Sequence, residues 1–336
     1  MEVLEKIIKN GYNVNLISFS AIDYYLTKKL SDRYVYLTTD ATLIEISKIF
    51  EKIDFGYNLF DFAIIENNKT YLVKSGEYPD FPFIIQYFTY NLNYEKFKNI
   101  FESFNHIKRK ETILKDCFNN SLTAIIEASK LISKYQIFPE IKFNEIRYIP
   151  LSKNCQKELL IMNLSGDYCF AGFEFLLESG FIEHYWKELF EMVKIEQVKD
   201  YHPEGNVWQH TMEALKYRKK KSLILSLALL FHDIGKAFTH EYNNKRFYKH
   251  AQIGAVIAEK FLKNLEFEDN VINKTVNLIK YHMLPEAIDR IPKHKLEKLK
   301  KEVDFNLLFE LYRADISSSF KKLNDFYKFK KYIKSV

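Results

Sequence analysis

Few residues in this chain break helices or cross-link the backbone. It has 9 glycines and 7 prolines in 336 residues, which favours long helices over many short strands joined by tight turns. Its three cysteines, Cys117, Cys155 and Cys169, have neither metal-ligand nor disulfide spacing, which indicates a reducing compartment. The longest strongly apolar run, residues 222–231, is about half a membrane span. No signal-like apolar region opens the chain. We therefore expect a cytoplasmic protein with no membrane contact.

The chain is long and apolar enough for packed cores, but it carries only a mild positive charge. With 47% hydrophobic residues, 29 Phe and 23 Tyr, it is expected to form two or three domains rather than a disordered chain. The net charge of +6 gathers in three basic segments, residues 216–221, 293–301 and 321–334. We interpret these segments either as solvated helix faces or as a basic surface that collects phosphate.

Residues 1–110 mix strand and helix patterns. Four segments rich in β-branched and aromatic residues are predicted to be strands, namely VNLISF, YVYLTT, FDFAII and KTYLVK. Asn67–Asn68, between the last two segments, predicts a hairpin turn. Residues 2–12 and 41–53 have helical spacing, and Gly11 is expected to end the first of these helices. This part of the chain is predicted to be a small α/β domain.

The remainder of the chain has a helical pattern. Residues 120–135 open with an Asn/Ser cap, and residues 172–193 predict two helices broken at Ser179–Gly180. Five further helical segments follow from about residue 200. The predicted fold is therefore α+β overall. Its predicted domains are an α/β domain at 1–110, an all-α neck at 111–198 and a second all-α domain at 199–336.

Histidine is concentrated in the last of these domains, together with an adjacent His–Asp pair. Seven of the nine histidines lie between His202 and His294, and the pair lies in FHDIGK at the end of an apolar run. We interpret Gly235 in that segment as the residue that lets the backbone turn sharply. The candidate ligands, each on or beside a helical segment, are His210, His232, Asp233, His250, His282 and Asp315.

These candidate ligands lie on apolar helix faces. Asp315, for example, follows Leu308 and Leu311 on the same face. A buried polar group costs a few kcal/mol unless it finds a partner, so a single histidine of this kind is an ordinary core residue bonded to a backbone carbonyl. Six such groups together favour a shared centre instead, because imidazole and carboxylate are the ligands that hold hydrolytic transition metals.

The order of His210, His232–Asp233 and Asp315 resembles the defining set of the HD superfamily of metal-dependent phosphohydrolases. The resemblance implies an all-helical domain. Members with two metals have further histidines in the interval that here contains His250 and His282. The resemblance therefore implies two divalent ions bridged by Asp233, with a bridging hydroxide that attacks phosphorus. Mn, Fe, Co, Ni and Mg all suit such ligands.

Four further residues are candidates for a role near this pair. Lys236 is expected either to hold a phosphate oxygen during catalysis or to be a helix-C-terminal cation. His202 and Glu204 are expected to orient the ligands or to belong to a helix cap. His240 is expected to line the entrance or to be solvated.

The chain also resembles a narrower group, the HD-containing bacterial tRNA nucleotidyltransferases and poly(A) polymerases. The likeness is strong over 200–320, where HPEGNVWQHT, FHDIGK and RAD occur, and weak over 1–110. It implies that the N-terminal domain is a nucleotidyltransferase-like head. In this head Ser18 and Phe19 stand where the family has two glycines, and Tyr34 and Tyr36 where it has carboxylates that hold Mg²⁺.

These replacements remove the working parts of such a head. A large Phe prevents the close approach of phosphate that glycine allows, and tyrosine is a poor magnesium ligand. Thr123 and Glu127 stand near the expected arginines, while Asp23, Asp32 and Asp40 lack the required spacing. We expect nucleotidyl transfer to be lost and the domain to be kept for packing or for holding RNA.

The expected function is that of a metal-dependent phosphohydrolase, a phosphodiesterase or phosphatase that acts on nucleotides or RNA 3′ ends. Candidate substrates are 2′,3′-cyclic phosphates, 2′-phosphates and cyclic nucleotides, and tRNA is a candidate partner. The first alternative is a working nucleotidyltransferase, against which the missing glycines and carboxylates speak. The second is an RNA-binding protein whose nucleotidyl-transfer site is lost and whose metal site does not turn over substrate.

Overall fold

The computed structural model divides the chain into two compact units. One contains residues 1–119 with 139–142, and the other contains residues 120–138 with 143–336. The residues it describes are 1–30, 34–55, 60–75, 88–99, 111–112, 121–139, 148–197, 205–239, 247–319 and 324–334. The predicted separation of a neck from the last domain at residue 198 stays a prediction, because that position lies outside these ranges.

The first unit is built on a seven-stranded sheet. The helices among its described residues are α1 (Glu2–Lys9), α2 (Ser18–Thr27) and α3 (Leu43–Ile49). Its strands are β1 (Val14–Ile17), β2 (Tyr34–Thr39), β3 (Ile53–Asp54), β4 (Phe62–Glu66), β5 (Lys69–Ser75), β6 (Phe88–Asn91) and β7 (Lys96–Asn99). The spatial order is β3-β4-β5-β2-β1-β6-β7, in which β2 and β5 are parallel and the other pairs antiparallel. The predicted α/β pattern is confirmed, although α2, β3, β6 and β7 were not foreseen. The strand predicted at VNLISF ends at Ile17, because Ser18 and Phe19 begin α2.

The central strands of the sheet are largely buried. Leu16, Leu37 and Val73 are fully buried, and β5 buries four consecutive residues, Thr70 to Val73. Only the start of β2 alternates, with Tyr34 and Tyr36 partly exposed and Val35 and Leu37 buried. The predicted hairpin is also confirmed: Asn67 and Asn68, which join β4 to β5, have φ of 50° and 61°. Two successive positive φ values are what a type I′ turn requires.

Ser18, at the junction of β1 and α2, has a left-handed backbone with φ of 54°. A non-glycine residue there costs about 1–2 kcal/mol, whereas glycine costs about 0.5–1 kcal/mol in chain entropy. We therefore expect Ser18→Gly to raise the free energy of unfolding by about 0.5 kcal/mol in denaturant titrations. Ser20→Gly is the contrast, because the Ser20 Oγ accepts a hydrogen bond from the Tyr36 amide at 2.9 Å and its loss should destabilise. Equal or opposite effects of the two changes would contradict this account of Ser18.

Two short strands and a long helix follow in the chain. They are β8 (Glu111–Thr112), α4 (Ser121–Tyr135) and β9 (Phe138–Pro139). The α4 helix matches the helix predicted at residues 120–135. No described helix is long and apolar enough to cross a membrane.

From residue 148 onward the described chain is helical. The α-helices are α5 (Lys153–Ser165), α6 (Cys169–Glu178), α7 (Phe181–Tyr185), α8 (Lys187–Phe190), α9 (Val207–Lys216), α10 (Leu223–Phe231), α11 (His250–Asn264), α12 (Asp269–Lys280), α13 (Lys293–Glu302), α14 (Phe305–Ser317) and α15 (Asn324–Lys334). Short 3₁₀ helices occupy Glu191–Lys194, Ile234–Phe238 and Leu284–Arg290. The break at Ser179–Gly180 and the five helical segments are confirmed, whereas α5, α13 and α15 were not foreseen. The fold class is thus confirmed as α+β.

The α10 helix is the centre of the second unit. Its sequence LILSLALLF is apolar on every side, and all residues from Leu225 to Phe231 are buried. A helix without a polar face must be covered on all sides. It is accordingly surrounded by α9, α12 and α14. Its C-terminal end therefore delivers His232 and Asp233 to the interior of the unit rather than to its surface.

Candidate metal centre

Six polar side chains converge at the C-terminal end of α10. His232 and Asp233 directly follow this helix, and the others come from four more helices. His210 lies in α9, His250 begins α11, His282 follows α12 and Asp315 lies in α14. All are buried except His250, whose side chain is 15% exposed. The structure thus brings together all six candidate ligands predicted from sequence.

The carboxylate of Asp233 lies between two pairs of histidines. Its Oδ2 atom is 3.4 Å from His232 Nε2 and 3.6 Å from His210 Nε2. Its Oδ1 atom is 3.5 Å from His250 Nε2 and 3.7 Å from His282 Nε2. Each oxygen therefore serves one pair, which forms two potential metal-binding groups that share a single residue.

Backbone carbonyls fix the orientation of three of these imidazoles. In each case Nδ1 bonds to the carbonyl oxygen three residues earlier, where a helix ends or begins. The pairs are His232 with Leu229 (2.8 Å), His250 with Phe247 (3.0 Å) and His282 with Ile279 (2.7 Å). A carbonyl can only accept, so the proton is on Nδ1 and the lone pair of Nε2 points into the site.

The inward-facing Nε2 lone pairs of these histidines fit a divalent cation. His250 Nε2 and His282 Nε2 are 3.2 Å apart, and His210 Nε2 and His232 Nε2 are 3.4 Å apart. Two bare nitrogen lone pairs at such distances repel each other unless a proton or a cation lies between them. Burial lowers the pKa of His282 to about 3 and also lowers that of His232, so protonation is disfavoured. Neutral imidazoles and ionised carboxylates are the donor groups that bind zinc and the other transition metals of hydrolytic enzymes.

Asp233 remains ionised because of its cationic neighbour. Burial by itself raises the pKa of Asp233, but its charged surroundings, the ammonium of Lys236 first, outweigh burial and hold that pKa well below the usual range. Lys236 donates to Asp233 Oδ2 at 2.6 Å and to Gln197 Oε1 at 2.7 Å. Lys236 therefore faces the centre of the site, where it can also meet an anion.

The fourth imidazole is oriented by a hydroxyl group instead of a carbonyl. His210 lies within α9, where the nearby carbonyls bond within the helix. Its Nδ1 is 3.2 Å from Ser318 Oγ, and the Ser318 hydroxyl donates to the Asp315 carbonyl at 2.5 Å. Ser318 Oγ therefore accepts the Nδ1 proton, and His210 Nε2 faces Asp315 Oδ1 at 3.1 Å.

Ser318→Ala is expected to weaken metal binding about 10- to 100-fold, because the Nδ1 proton of His210 would lose its acceptor. Competition with a chelator of known affinity measures the change. Ser319→Ala is the control, since its Oγ donates to the Ile316 carbonyl at 3.4 Å. Unchanged metal affinity in Ser318→Ala would refute the role of this hydroxyl.

Gly235 is required for close packing rather than for a turn. A Cβ at this position would lie 2.0 Å from the carbonyl oxygen of His250 and 2.6 Å from the amide nitrogen of Gly254. Its φ lies outside the left-handed range, so the interpretation of Gly235 as a sharp-turn residue is wrong. The missing side chain instead allows the start of α11 to approach the segment that follows Asp233.

Sequence reasoning missed Gln197 and Ser318. Ser318 follows Asp315 by three residues and so faces the same side of the helix end, a spacing that could have indicated it. No comparable pattern marks Gln197. The other candidates near the pair, His202, Glu204 and His240, lie outside the described residues.

The first unit shows what surrounds the replaced positions of the nucleotidyltransferase-like head. The Phe19 side chain is buried, so it contributes to the core of this unit. Tyr36 packs on the Phe60 ring with centroids 5.7 Å apart. Asp40 accepts hydrogen bonds from the amide and the side chain of Asn13, both at 2.7 Å, which is the role of a loop residue.

Another position that differs from this family lies in the second unit. Glu127 of α4, in the second unit, is buried and pairs with Lys130 at 2.7 Å. Asp32 lies outside the described residues.

Comparison with known proteins agrees with this architecture. A family model described as "HD domain" matches residues 202–318. The CC-adding tRNA nucleotidyltransferase of Thermus thermophilus is 30% identical over 155 residues, which are 44% of this chain and 34% of that protein. The chain thus spans about a third of the length of this curated relative.

Two solved structures are similar along nearly the whole chain. The CCA-adding enzyme of Bacillus stearothermophilus in complex with CTP has a TM-score of 0.57 at 12% identity, covering 99% of this chain and 81% of that one. A tRNA nucleotidyltransferase complexed with a primer tRNA and an incoming ATP analog has a TM-score of 0.54 at 12% identity, covering 99% and 98%. The chain therefore resembles HD domains over residues 202–318 and shares the fold of the tRNA nucleotidyltransferases.

Proposed function

We propose that the HD domain is a metal-dependent phosphohydrolase that acts on nucleotides or RNA 3′ ends. The observation that carries this proposal is the position of Asp233, with one carboxylate oxygen toward His210 and His232 and the other toward His250 and His282. A carboxylate so placed can join two cation sites into one centre. Asp315 completes the first set through its contact with His210.

The chemistry of the proposed site follows from its residues. Two bound divalent ions would polarise a phosphoryl oxygen and lower the pKa of a water molecule to near neutrality. The carbonyl-bonded histidines keep their Nε2 lone pairs directed inward, so little reorganisation is needed for binding. Lys236 places a positive charge beside Asp233, where it can bind a phosphoryl oxygen of the substrate through a hydrogen bond.

The substrate class is proposed from the likeness to nucleotide-handling proteins. The solved structures of similar fold are bound to CTP, or to a primer tRNA with an ATP analog. The mild positive charge of the chain suits an anionic substrate. We therefore infer that the substrate is a nucleotide or the 3′ end of an RNA, with 2′,3′-cyclic phosphates, 2′-phosphates and cyclic nucleotides as the candidates.

The test is a set of phosphoester assays on the purified chain. Bis-p-nitrophenyl phosphate, 2′,3′-cyclic AMP and 2′-AMP would be assayed as substrates in the presence of Mn²⁺, Ni²⁺ or Mg²⁺. The number of metal ions bound per chain would be measured by elemental analysis. We expect metal-dependent turnover that EDTA removes and metal restores. His184→Ala is the control, because this exposed histidine stacks on Tyr148, away from the six candidate ligands. Absence of turnover with all three metals would contradict the proposal.

A second candidate is an RNA-binding protein whose nucleotidyl-transfer site is lost. The likeness in fold to tRNA nucleotidyltransferases favours this second candidate. So do the burial of Phe19 and the hydrogen bond that Asp40 accepts from the Asn13 amide, because neither side chain is then available for nucleotidyl transfer. A gel shift with tRNA that persists in the His232→Ala, Asp233→Ala double variant, with no hydrolysis by the unchanged protein, would support this candidate. Incorporation of labelled CTP or ATP into tRNA would show instead that the head still works.

A further inference from the structure

Lys236 is held between two buried acceptors of different charge. Its ammonium donates to Asp233 Oδ2 at 2.6 Å and to Gln197 Oε1 at 2.7 Å, and it lies over the ring of Phe247 at 5.6 Å from the centroid. Both Lys236 and Gln197 are more than nine-tenths buried. Of these two acceptors only Asp233 belongs to the candidate ligand set, so Gln197 has a role that the metal centre by itself does not explain.

The position of Gln197 is set by the backbone that precedes α9. Glu196 forms an isolated antiparallel bridge with Asn206, and the Val207 amide donates to the Ile195 carbonyl at 3.0 Å. The Gln197 Nε2 group faces the carbonyl oxygen of Asn206 at 3.5 Å, which leaves Oε1 directed toward the lysine. Asn206 is the N-cap of the helix that carries His210. The amide is therefore anchored to the same helix as a candidate ligand.

A neutral acceptor at this place has a specific electrostatic consequence. Without it, the acceptor of Lys236 among the described residues would be Asp233 Oδ2, the oxygen that also faces His210 and His232. The amide oxygen pulls the ammonium from a second direction and does not cancel its charge. An ammonium has three N–H groups. Gln197 and Asp233 use two of them in fixed directions, and this sets the direction of the third.

We propose that Gln197 is a positioning residue that aims the third N–H group of Lys236 at a phosphoryl oxygen of the substrate. This inference rests on the proposed function in one respect, namely that the anion in the site is a phosphoester. Gln197 acts through Lys236 and need not touch the substrate. It therefore sets affinity for the phosphoryl group more than it sets the rate of the chemical step.

The first measurement is the affinity of the metal-loaded chain for inorganic phosphate, by calorimetry. Gln197→Met keeps the length of the side chain and removes the acceptor, and we expect phosphate binding to weaken about tenfold, the typical effect of one hydrogen bond to a charged group. Gln197→Glu should weaken it further, because a carboxylate would neutralise the ammonium. In phosphoester assays KM should rise by a similar factor, with kcat changed less.

A matched control and a double variant separate positioning from a general structural effect. Gln156→Met removes another partly buried amide of the same unit, which accepts from Trp186 Nε1 at 3.2 Å, and it should leave phosphate affinity unchanged. In a Lys236→Met background, Gln197→Met should have no further effect, since its target is gone. Bound metal and melting temperature, measured for each variant, report on the fold.

Two results would overturn the inference. One is unchanged phosphate affinity in Gln197→Met, and the other is an equal loss with and without Lys236. Failure of the proposed function is a separate outcome: a chain that binds phosphate through Lys236 and Gln197 but hydrolyses none of the phosphoesters would keep this inference and reject the hydrolase. A metal-loaded chain that does not bind phosphate would reject the inference itself.

Discussion

Asp233→Asn is expected to lower phosphoester hydrolysis by about a thousandfold or more, the rate equivalent of the several kcal/mol that metal activation contributes. The amide has nearly the size of the carboxylate, but it lacks the negative charge and offers a single acceptor oxygen. It cannot serve the His210–His232 pair and the His250–His282 pair at once. Bound metal should therefore fall from about two ions per chain to one or none. Steady-state assays and elemental analysis measure the two effects.

Asp289→Asn is the matched control for this change. Asp289 lies in the same unit and pairs with Lys328 at 2.8 Å on the surface, with both side chains about half exposed. Loss of an exposed ion pair has little effect on stability. Activity and metal content should remain at the level of the unchanged protein. Normal turnover in Asp233→Asn would remove Asp233 from the proposed mechanism, and with it the basis of a joint centre.

Gly235→Ala is expected to destabilise the second unit by about 3 kcal/mol or more, at the upper end of the cost of overpacking. The added methyl group would lie 2.0 Å from the His250 carbonyl oxygen, and backbone atoms cannot move aside as a side chain can. The start of α11 would be pushed away from the end of α10. His250 would then lose its 3.5 Å contact with Asp233, so binding of the second ion should weaken before binding of the first.

Gly254→Ala provides the comparison on the other side of the same contact. Its Cβ would lie 3.1 Å from the Gly235 amide nitrogen and 3.4 Å from a methyl group of Ile234, which is tight but not overlapping. We expect a smaller loss of stability than for Gly235→Ala. Denaturant titration and chelator competition on both variants test the order. An equal or reversed order would show that the closeness of the two segments does not control the site.

The sequence predicted elements best where the local pattern was unambiguous. The Asn67–Asn68 hairpin and the break at Ser179–Gly180 follow from turn and helix-end chemistry alone. By contrast, β6 and α13 escaped prediction. The β6 strand is only four residues long, and most of the α13 helix, KHKLEKLKKE, is charged. Neither offers the extended periodic pattern on which prediction depends.

In the candidate site, too, some residues could be identified from the sequence and others could not. Its six candidate ligands could be named because burying a histidine or aspartate on an apolar helix face costs free energy and therefore marks the residue. Gln197 and Ser318 could not be singled out in this way, because a glutamine or a serine is common in any segment. Their roles depend on the hydrogen bonds to Lys236 and His210, which exist only after distant segments have packed together.

The sequence by itself determined the α+β class, the apolar helix that ends at His232, and the chemical type of the six groups, because these depend on composition and local periodicity. Tertiary structure decided which groups meet. It placed one oxygen of Asp233 toward each histidine pair and set that spacing through the absence of a side chain at Gly235. It also directed the Nε2 atoms inward through carbonyls and a hydroxyl. Such distances arise from the packing of five helices, and no local pattern encodes them.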